Sequence, residues 1–567
     1  MDKATVSEIL EEIGVLLELS GENPFKARTY FNVARALEQV DVPLDVLVKE
    51  KRLREIKGVG DALEEKLEEL VTTGTLKYHQ DLRAKFPETL FELFAIPALG
   101  PKRIKQLYDE VGIDSIESLE KAIAGGKLKG LKGFGAKMEE KVAEGIAYAR
   151  EHKGLFLVSQ ARKEAETLLS ELRNDKSIIR MEVAGSLRRR KEVVKDIDIL
   201  ISSDKPDGLM KRFTEAPNVV RVTGHGETKS SVVLKSGMAA DLRVVSDTEF
   251  PFALAYFTGS KEHNVVMRQR AKERGLRLNE YALTREDQST VPCADEAAIY
   301  KALDLPYIEP ELREDRGEFD AAALPHLVNA SDLKGVIHCH STYSDGKATL
   351  AQMADAAKER GFSYFGIADH SQSAAYAGGL LPERVGKQHA EIDTLNAKYT
   401  GFRILKGIES DIRTDGSLDY EESVLKSFDY IVASVHSKLD MQDDEATARV
   451  IKAIENPYTT ILGHPTARLL LARQGYPLHW DKVFAACKAN RVALEINANP
   501  HRLDIDWRHI RKASDLGCLF SIGPDAHAVD GLDDVHYGIG IARKGWLEKE
   551  HILNCLAVED FLTWKRG

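Results

Sequence analysis

The chain has 567 residues, 43% hydrophobic and 30% charged, which is too long for a single core and too apolar for a disordered chain. A net charge of -11 excludes a uniformly basic nucleic-acid coat, so any contact with nucleic acid must come from local patches, backbone amides or bound cations. Five scattered cysteines without a CxxC pair argue against a disulfide scaffold, and no apolar stretch approaches a membrane span, so a cytoplasmic chain without a membrane partner is expected.

From residue 1 to about 150 the pattern is helical, with Val6, Ile9, Leu10 and Ile13 at i, i+3, i+4 and i+7. Inside this region a short unit recurs, at Ile56–Gly60, Ile96–Gly100 and Leu131–Gly135, each followed by a helix-like stretch. Gly58 with Gly60, and Gly133 with Gly135, form G-x-G hairpins, whereas the second unit keeps only Gly100. Missing β-carbons allow positive φ and let backbone N–H groups approach a phosphate closely, without reading sequence and without adding formal charge. A glycine cap between packed helices explains any single copy, but the repetition points to DNA backbone binding.

From about 155 to 245 the rhythm changes to the short runs IIRMEVAG, KDIDILIS, SSVVLKS and AADLRVV, which predict a mixed sheet with one helical segment. Residues two apart on a strand share a face, so Asp196 and Asp198 project together while Ile197, Ile199 and Ile201 take the other side. Asp241 lies on a later strand that can pair beside them, and three hard oxygen ligands on one face suit two Mg²⁺ ions, which promote in-line phosphoryl displacement. A lone Asp-x-Asp usually just faces water. Here the Gly185-Ser186 turn and Arg189 precede it, and they can donate to a triphosphate, as nucleotidyl transfer requires.

With GSLRR and DID, the sequence has GETKSS at 226–231 and YFTGSKEHNVVMRQRAKERGLRLNEY from Tyr256 to Tyr281. On these motifs the chain to about residue 300 resembles family X DNA polymerases, the polymerase β-like branch of the nucleotidyltransferases. The resemblance implies that Asp196, Asp198 and Asp241 hold Mg²⁺ (or Mn²⁺), with Asp241 helping to deprotonate the primer 3′-hydroxyl, and that Gly185, Ser186 and Arg189 hold the triphosphate. It further implies that Tyr256, Phe257 and Gly259 lie under the incoming sugar, and that Asn264 and Arg268 face nucleotide and template. One departure is Ala239, where the family carries an arginine two residues before its third aspartate. Eukaryotic relatives remove a 5′ sugar phosphate with a Schiff-base lysine that aligns with Lys66. Here Glu64, Glu65, Glu68 and Glu69 are expected to keep that amine charged, so Lys66 reads as a solvated or DNA-contacting residue.

Residues 250–300 return to helix-rich text, and the stretch to residue 325 mixes prolines with acids as a connection does. From Lys334 about seven apolar runs alternate with helical ones: GVIHCH, SYFGIADH, FRILKGIES, FDYIVASVH, TTILGH, VALEIN and CLFSIGPDAH. Such alternation predicts a parallel sheet closed into a barrel, with polar residues at the carboxyl ends of the runs. Thirteen of the seventeen histidines lie from His326 onward. His338 and His340 share a face, Asp345 follows in the SDG turn, and His370, Glu409, His436, His464, Asp525 and His527 follow at later strand ends, a set that suits Zn²⁺, Mn²⁺ or Fe²⁺.

This pattern resembles the PHP (polymerase and histidinol phosphatase) domain, a distorted seven-stranded barrel that hydrolyses phosphoesters with up to three metal ions. The resemblance implies one ion on His338, His340, Glu409 and Asp525, a second on Asp345, His370 and His527, and a third on Glu409, His436 and His464. Arg502 would contact the scissile strand.

The expected fold class is multidomain α+β and α/β, ending in a (β/α)7 PHP barrel. The expected divisions are a helical DNA-binding domain over 1–85, a helix-hairpin-helix subdomain over 86–154, a palm over 155–245, a thumb-type subdomain over 246–315, a linker over 316–333 and a metallohydrolase over 334–567. In bacterial and archaeal enzymes of this two-part arrangement the resemblance implies short-gap filling, 3′–5′ exonuclease and abasic-site endonuclease activity, on gapped or primed DNA, dNTPs and abasic DNA; the sequence does not fix the oligomeric state, and a monomer is the favoured expectation. A template-independent nucleotidyltransferase and a non-catalytic DNA-end scaffold are the alternatives. The intact acid and histidine sets disfavour the scaffold, and the YFTGS segment disfavours transfer without a template.

Overall fold

The computed structural model describes residues 3–38, 40 and 42–564. The chain divides into an N-terminal unit ending at Lys153 and a second unit beginning at Gly154.

The N-terminal unit is helical, with no strand among its described residues. Its longer helices are α1 (Lys3–Leu19), α2 (Pro24–Glu38), α3 (Asp61–Thr73), α4 (Pro101–Val111) and α5 (Ala136–Glu151). The stripe Val6, Leu10, Ile13 and Leu17 buries against Val33, Leu37, Leu67 and Leu70, as the 3.6-residue period dictates. A separate cluster gathers Leu93, Ile96, Leu99, Ile104, Phe134 and Ile146.

All three recurring units fold alike. The N–H groups of Val59, Leu99 and Phe134 donate to the carbonyls of Ile56, Ile96 and Leu131, each at 3.1 Å. Gly58, Ala98 and Gly133 take φ of 93°, 93° and 87°, and Gly60, Gly100 and Gly135 cap α3, α4 and α5. The second unit thus keeps the turn although alanine stands at its left-handed position, a conformation that costs an L-residue about 1–2 kcal/mol. Burial of Ile96 and Leu99 on the core side holds it there.

The second unit opens with α6 (Val158–Leu172), β1 (Arg180–Val183), β2 (Asp196–Ser202), α7 (Pro206–Thr214), β3 (Val219–His225), β4 (Lys229–Leu234) and β5 (Ala239–Val245). These strands form one mixed sheet in the order β1-β2-β5-β4-β3, in which β2 and β5 are parallel and the other pairs antiparallel. Strand β3 is absent from the sequence-based expectation. It is an edge strand with two register shifts and Val220 and Val222 exposed, so it lacks the alternation that a half-buried strand shows. The helices α8 (Phe250–Thr258), α9 (Lys261–Glu273) and α10 (Glu296–Ala302) pack around their own cluster of Phe252, Met267, Ile299 and Tyr300.

The segment expected as a linker is packed. Glu318 and Val328 are buried, and Glu318 accepts a bond from the buried His263 ring at 2.9 Å. One apolar cluster runs from Ile199 and Ile201 of the mixed sheet through to Trp507, Ile522 and Ile541 of the C-terminal part.

The C-terminal strands are β6 (Gly335–Cys339), β7 (Tyr364–Ile367), β8 (Arg403–Leu405), β9 (Gly407–Asp411), β10 (Tyr430–Ser434), β11 (Ile461–Leu462), β12 (Ala493–Asn497) and β13 (Phe520–Gly523), followed by α11 (Val535–Lys544). Every neighbouring pair is parallel, but the ladder is not one continuous ring. It splits into β6-β7-β8 and β9-β10-β11-β12-β13, because the expected run FRILKGIES breaks at Lys406 and changes partner there. Single bridges join the two sheets, one from His370, just beyond the central strand β7, to Glu409, and one from Cys339 of the edge strand β6 to Ala526. The residues that interrupt the ladder are therefore neighbours or members of the histidine set.

Candidate functional sites

The hairpins leave backbone amides on the surface. Gly60, Gly100 and Gly135 have ordinary negative φ, and a β-carbon on any of them would meet no atom within 4 Å. Neither backbone strain nor internal packing therefore demands glycine at these three positions. What glycine leaves is room for an outside group against the first-turn N–H groups.

Of the four glutamates near Lys66 in sequence, two are engaged elsewhere. Glu64 pairs with Arg54, Glu69 accepts the N–H of Lys77, and Lys66 Nζ instead donates to the Tyr30 hydroxyl at 2.8 Å and lies 3.9 Å from the Tyr78 ring centroid. Burial and the charge of Lys26 pull its pKa down, against the pull of Glu65.

On the mixed sheet, Asp198 stands opposite Asp241, and Asp196 opposite Ala239, in the parallel register of β2 and β5. The other face of β2 buries Ile197, Ile199 and Ile201 in the core, as the period of two requires. Burial and the charges of Asp196 and Asp241 push Asp198 up to about 6, while Arg243 and Lys229 pull the other way. Burial and Asp241 likewise raise Asp196. These two basic residues escape the sequence reading: Lys229 Nζ lies 2.7 Å from Asp241 Oδ2, and the Arg243 guanidinium stacks 4.2 Å over the Phe257 ring. The missing arginine at 239 thus leaves an exposed alanine, and cations reach the acids from β4 and from the far side of Asp241. Lys229 was legible as the lysine of GETKSS, but its cross-strand target was not.

The turn after β1 presses on this face. Gly185 has φ of 64°, and a β-carbon there would collide with Asp198 Oδ2. The three arginines that follow diverge. Arg188 ion-pairs with Glu296 at 2.6 Å, Arg189 Nε donates to Glu314 at 3.0 Å and its Nη1 to the carbonyl of Thr258, and Arg190 lies 3.1 Å from Glu311. Arg189 is therefore 9% exposed and already engaged, beside Gly259 rather than free in solvent. Tyr256 and Phe257 meet edge to face at 5.2 Å, and Asn264 Nδ2 donates to the Tyr256 carbonyl at 2.7 Å. Tyr256, Asn264, Met267, Arg268 and Asn279 line one small cleft.

Eight of the nine expected histidine-set residues meet in the C-terminal part in three overlapping groups, His338, His340 and Asp525; His340, Asp345, His370 and His527; His370, Glu409 and His436, and His464 joins them through Glu409. The grouping differs from the resemblance in that Glu409 is outside the first set, His340 also joins the second, and His370 stands in the third where His464 was expected. His464 Nε2 lies 2.9 Å and His436 Nε2 3.1 Å from Glu409 Oε1. The strand is not regular here. His338 has φ of 60° and the pairing shifts between Val336 and Cys339, which turns both imidazoles inward while Cys339 packs into the core.

Burial opposes charge on every group, yet His436, His370 and His338 hold Glu409 well below the usual carboxylate range. Burial, followed by the charges of His527 and His370, drives His340 down to about 3. Three partners escape the sequence reading: Glu495 receives His338 Nδ1 and the His464 N–H, Asp411 receives His436 Nδ1 at 2.6 Å, and Asn497 donates to Asp525 at 3.2 Å. Asp411 follows Glu409 by two residues on β9, so the shared face was a usable signal. Arg502 Nε lies 3.5 Å from Asp525 Oδ2, with Nη1 buried and unbonded, and the exposed Tyr376 ring sits 6.3 Å from His370.

An acid face beside a helical thumb, surface hairpins and a histidine cage on parallel strands define a chain with two phosphate-handling centres. Family models agree: residues 1–76 match the helix-hairpin-helix domain, 91–147 the SAM-like helix-hairpin-helix tandem, 253–314 the DNA polymerase beta thumb and 337–499 the PHP domain. The chain is 38% identical over 564 residues, 99% of its length and 98% of the relative's, to "DNA polymerase/3'-5' exonuclease PolX" of Bacillus subtilis (strain 168). It is 26% identical to "DNA polymerase lambda" of Rattus norvegicus over 54% of this chain and 56% of that one. A "Probable phosphatase" of Vibrio campbellii matches at 32% identity over 35% of this chain and 78% of the relative. The chain belongs to the PolX family of family X DNA polymerases.

Proposed function

We propose that this chain is a DNA-directed DNA polymerase that fills short gaps in DNA repair, and that its PHP domain is a metal-dependent 3′–5′ exonuclease and abasic-site endonuclease. The observation that carries the reading is the parallel register that sets Asp198 against Asp241 with Asp196 alongside, on a sheet whose chain also holds the histidine cage.

Both sites suit divalent cations. In the cage, His338 Nε2, both ring nitrogens of His340, His370 Nδ1, Glu409 Oε2 and His464 Nδ1 are buried without a hydrogen-bond partner, although carboxylate oxygens lie 3.2 Å to 3.8 Å from His340 Nε2 and His338 Nε2. Lone pairs converging without hydrogen-bond geometry fit ions shared between them. On the sheet, mutual repulsion of carboxylates fits a cation between them. Asp196, Asp198 and Asp241 would hold Mg²⁺ or Mn²⁺. The nine cage residues would hold up to three Zn²⁺, Mn²⁺ or Fe ions in the three sets that the resemblance implies. Such ions, when bound, lower the pKa of an attacking hydroxyl or water and neutralise charge on phosphate oxygens.

The chain's own residues do the rest. Asp241, with Oδ2 tied to Lys229, keeps Oδ1 to take the proton of the primer 3′-hydroxyl. Ser186 and Arg189 bind the triphosphate, and Gly185 leaves the gap in which Asp198 keeps its rotamer. Tyr256, Phe257 and Gly259 pack under the sugar of the incoming dNTP, and Asn264 and Arg268 face base and template. In the cage Glu495 and Asp411 fix the ring orientation of His338 and His436, and Arg502 binds the scissile phosphate. The hairpin amides at Gly58, Gly60, Gly100, Gly133 and Gly135 hold gapped or primed DNA by its backbone. A single-nucleotide gap with a 5′ phosphate, and an abasic duplex, each assayed with Mg²⁺ and Mn²⁺, test the reading. Nucleotide insertion that ignores the template base would favour a template-independent transferase instead.

A further inference from the structure

We propose that Lys544, on the last turn of a PHP-domain helix, is a positioning residue for nucleotide binding in the polymerase site. It would act through Glu314 on Arg189, and the inference rests on the reading above that Arg189 binds the triphosphate.

Lys544 sits at the end of α11, and its side chain is fully buried. A buried ammonium needs every proton accepted. Its Nζ reaches Glu314 Oε1 at 2.7 Å, the Arg189 carbonyl at 3.1 Å and the Glu311 carbonyl at 3.3 Å, with the Trp507 ring centroid 4.5 Å away. All three donors are thus spent on the segment that carries Arg189 and on the last residues of the thumb match. The acceptor Glu314 Oε1 also takes Arg189 Nε at 3.0 Å. One carboxylate oxygen therefore serves two cations, leaving a surplus positive charge at the turn.

This arrangement fixes the guanidinium in direction. Nε is tied to Glu314 and Nη1 to the Thr258 carbonyl, so two edges of a planar fork are pinned and Nη2 is left for an anion. Lys544 keeps Glu314 ionised and in place, and through the Arg189 carbonyl it also holds the backbone of the turn. Neighbouring contacts reinforce the same junction. Glu192, three residues beyond Arg189, accepts from Trp507 Nε1 at 3.0 Å and Arg508 at 2.9 Å, and Arg190 packs against Gly540. The PHP domain thereby supplies the support for the phosphate-binding turn of the other active centre.

Pre-oriented donors matter most to the group that they bind, so the effect should fall on the triphosphate rather than on DNA. In the full-length chain, Lys544→Met and Glu314→Gln should each raise KM for dNTP about tenfold while kcat stays within about twofold. Inhibition by inorganic tripolyphosphate, which has no base or sugar, should weaken by the same factor. DNA affinity and PHP nuclease activity should not change, which separates positioning from loss of fold. Combined with Arg189→Ala, neither substitution should raise KM further. If Arg189→Ala leaves KM unaltered, the triphosphate reading itself fails. If Arg189→Ala raises KM but Lys544→Met and Glu314→Gln do not, or if their full effect persists in the Arg189→Ala background, the positioning role is wrong and the reading of Arg189 stands. A lowered KM in Glu314→Gln would mean that Glu314 competes with the triphosphate and would likewise overturn the proposal.

Discussion

Asp198 and Asp241 face each other in register across the parallel pair β2 and β5, while the histidine cage is built from the two separate C-terminal sheets. Separate sheets imply separable activities. Asp198→Asn should reduce gap filling by about 10³-fold or more and spare nuclease activity, and His340→Ala should do the converse. Primer-extension and end-degradation assays on both variants check this, and joint loss in either one would count against two centres.

Glu409 lies within ion-pair reach of His338, His340, His370, His436 and His464, so one carboxylate reaches five of the six cage histidines. Glu409→Gln should lower the metal retained after dialysis more than loss of any single histidine. Because a ligand at about 100 times its Kd stabilises a fold by about 2.7 kcal/mol, added Mn²⁺ or Zn²⁺ should raise the melting temperature of the wild type and not of Glu409→Gln. Elemental analysis and calorimetry supply the two readouts.

Glu296 joins Arg188 and the fully buried Arg313. Burial opposes its charge, but Arg313 and Arg188 outweigh this and hold its pKa down at about 2, against 4.5 ordinarily. A depressed carboxylate contributes stability that is present above its unfolded pKa and lost as pH falls through the folded one. The contribution, on the order of 3 kcal/mol, should therefore disappear between about pH 5 and pH 2. Glu296→Gln should destabilise the second unit at pH 7 and flatten its denaturation midpoint over that acid window, since the neutral amide no longer titrates.

Lys66 is clasped by Tyr30 and Tyr78. Borohydride should trap little of the protein on an incised abasic site, because the amine is bonded and stacked rather than presented. Efficient trapping that disappears in Lys66→Ala would show that the clasp opens and that the residue forms a Schiff base.

Ala98 carries φ of 93° where its two counterparts are glycines. Ala98→Gly should stabilise the N-terminal unit by about 1 kcal/mol without weakening DNA binding, as strain is removed and no exposed amide is altered. Thermal denaturation with a DNA-binding isotherm would test both halves.

Much of this was legible in the sequence. The spacing of two put Asp196 and Asp198 on one face, and the expected set of six histidines and three acids came together in one cage. What stayed hidden depends on pairing between distant segments. Lys229 became a partner of Asp241 only through the antiparallel register of β4 with β5, and Glu495 met His338 only when β12 and β6 came to the same end of the domain. Strand β3 was hidden for the opposite reason, since an exposed edge needs no apolar alternation. Lys66 shows the limit of counting neighbours along a helix: four nearby acids say nothing about which way each one turns.

The turn at Gly185 carries one more consequence. The contribution of that position is empty volume, kept clear so that a carboxylate can occupy it. A substitution scan should find it intolerant even of a methyl group, although it carries no side chain, and a search that ranks residues by their side-chain groups would pass it over.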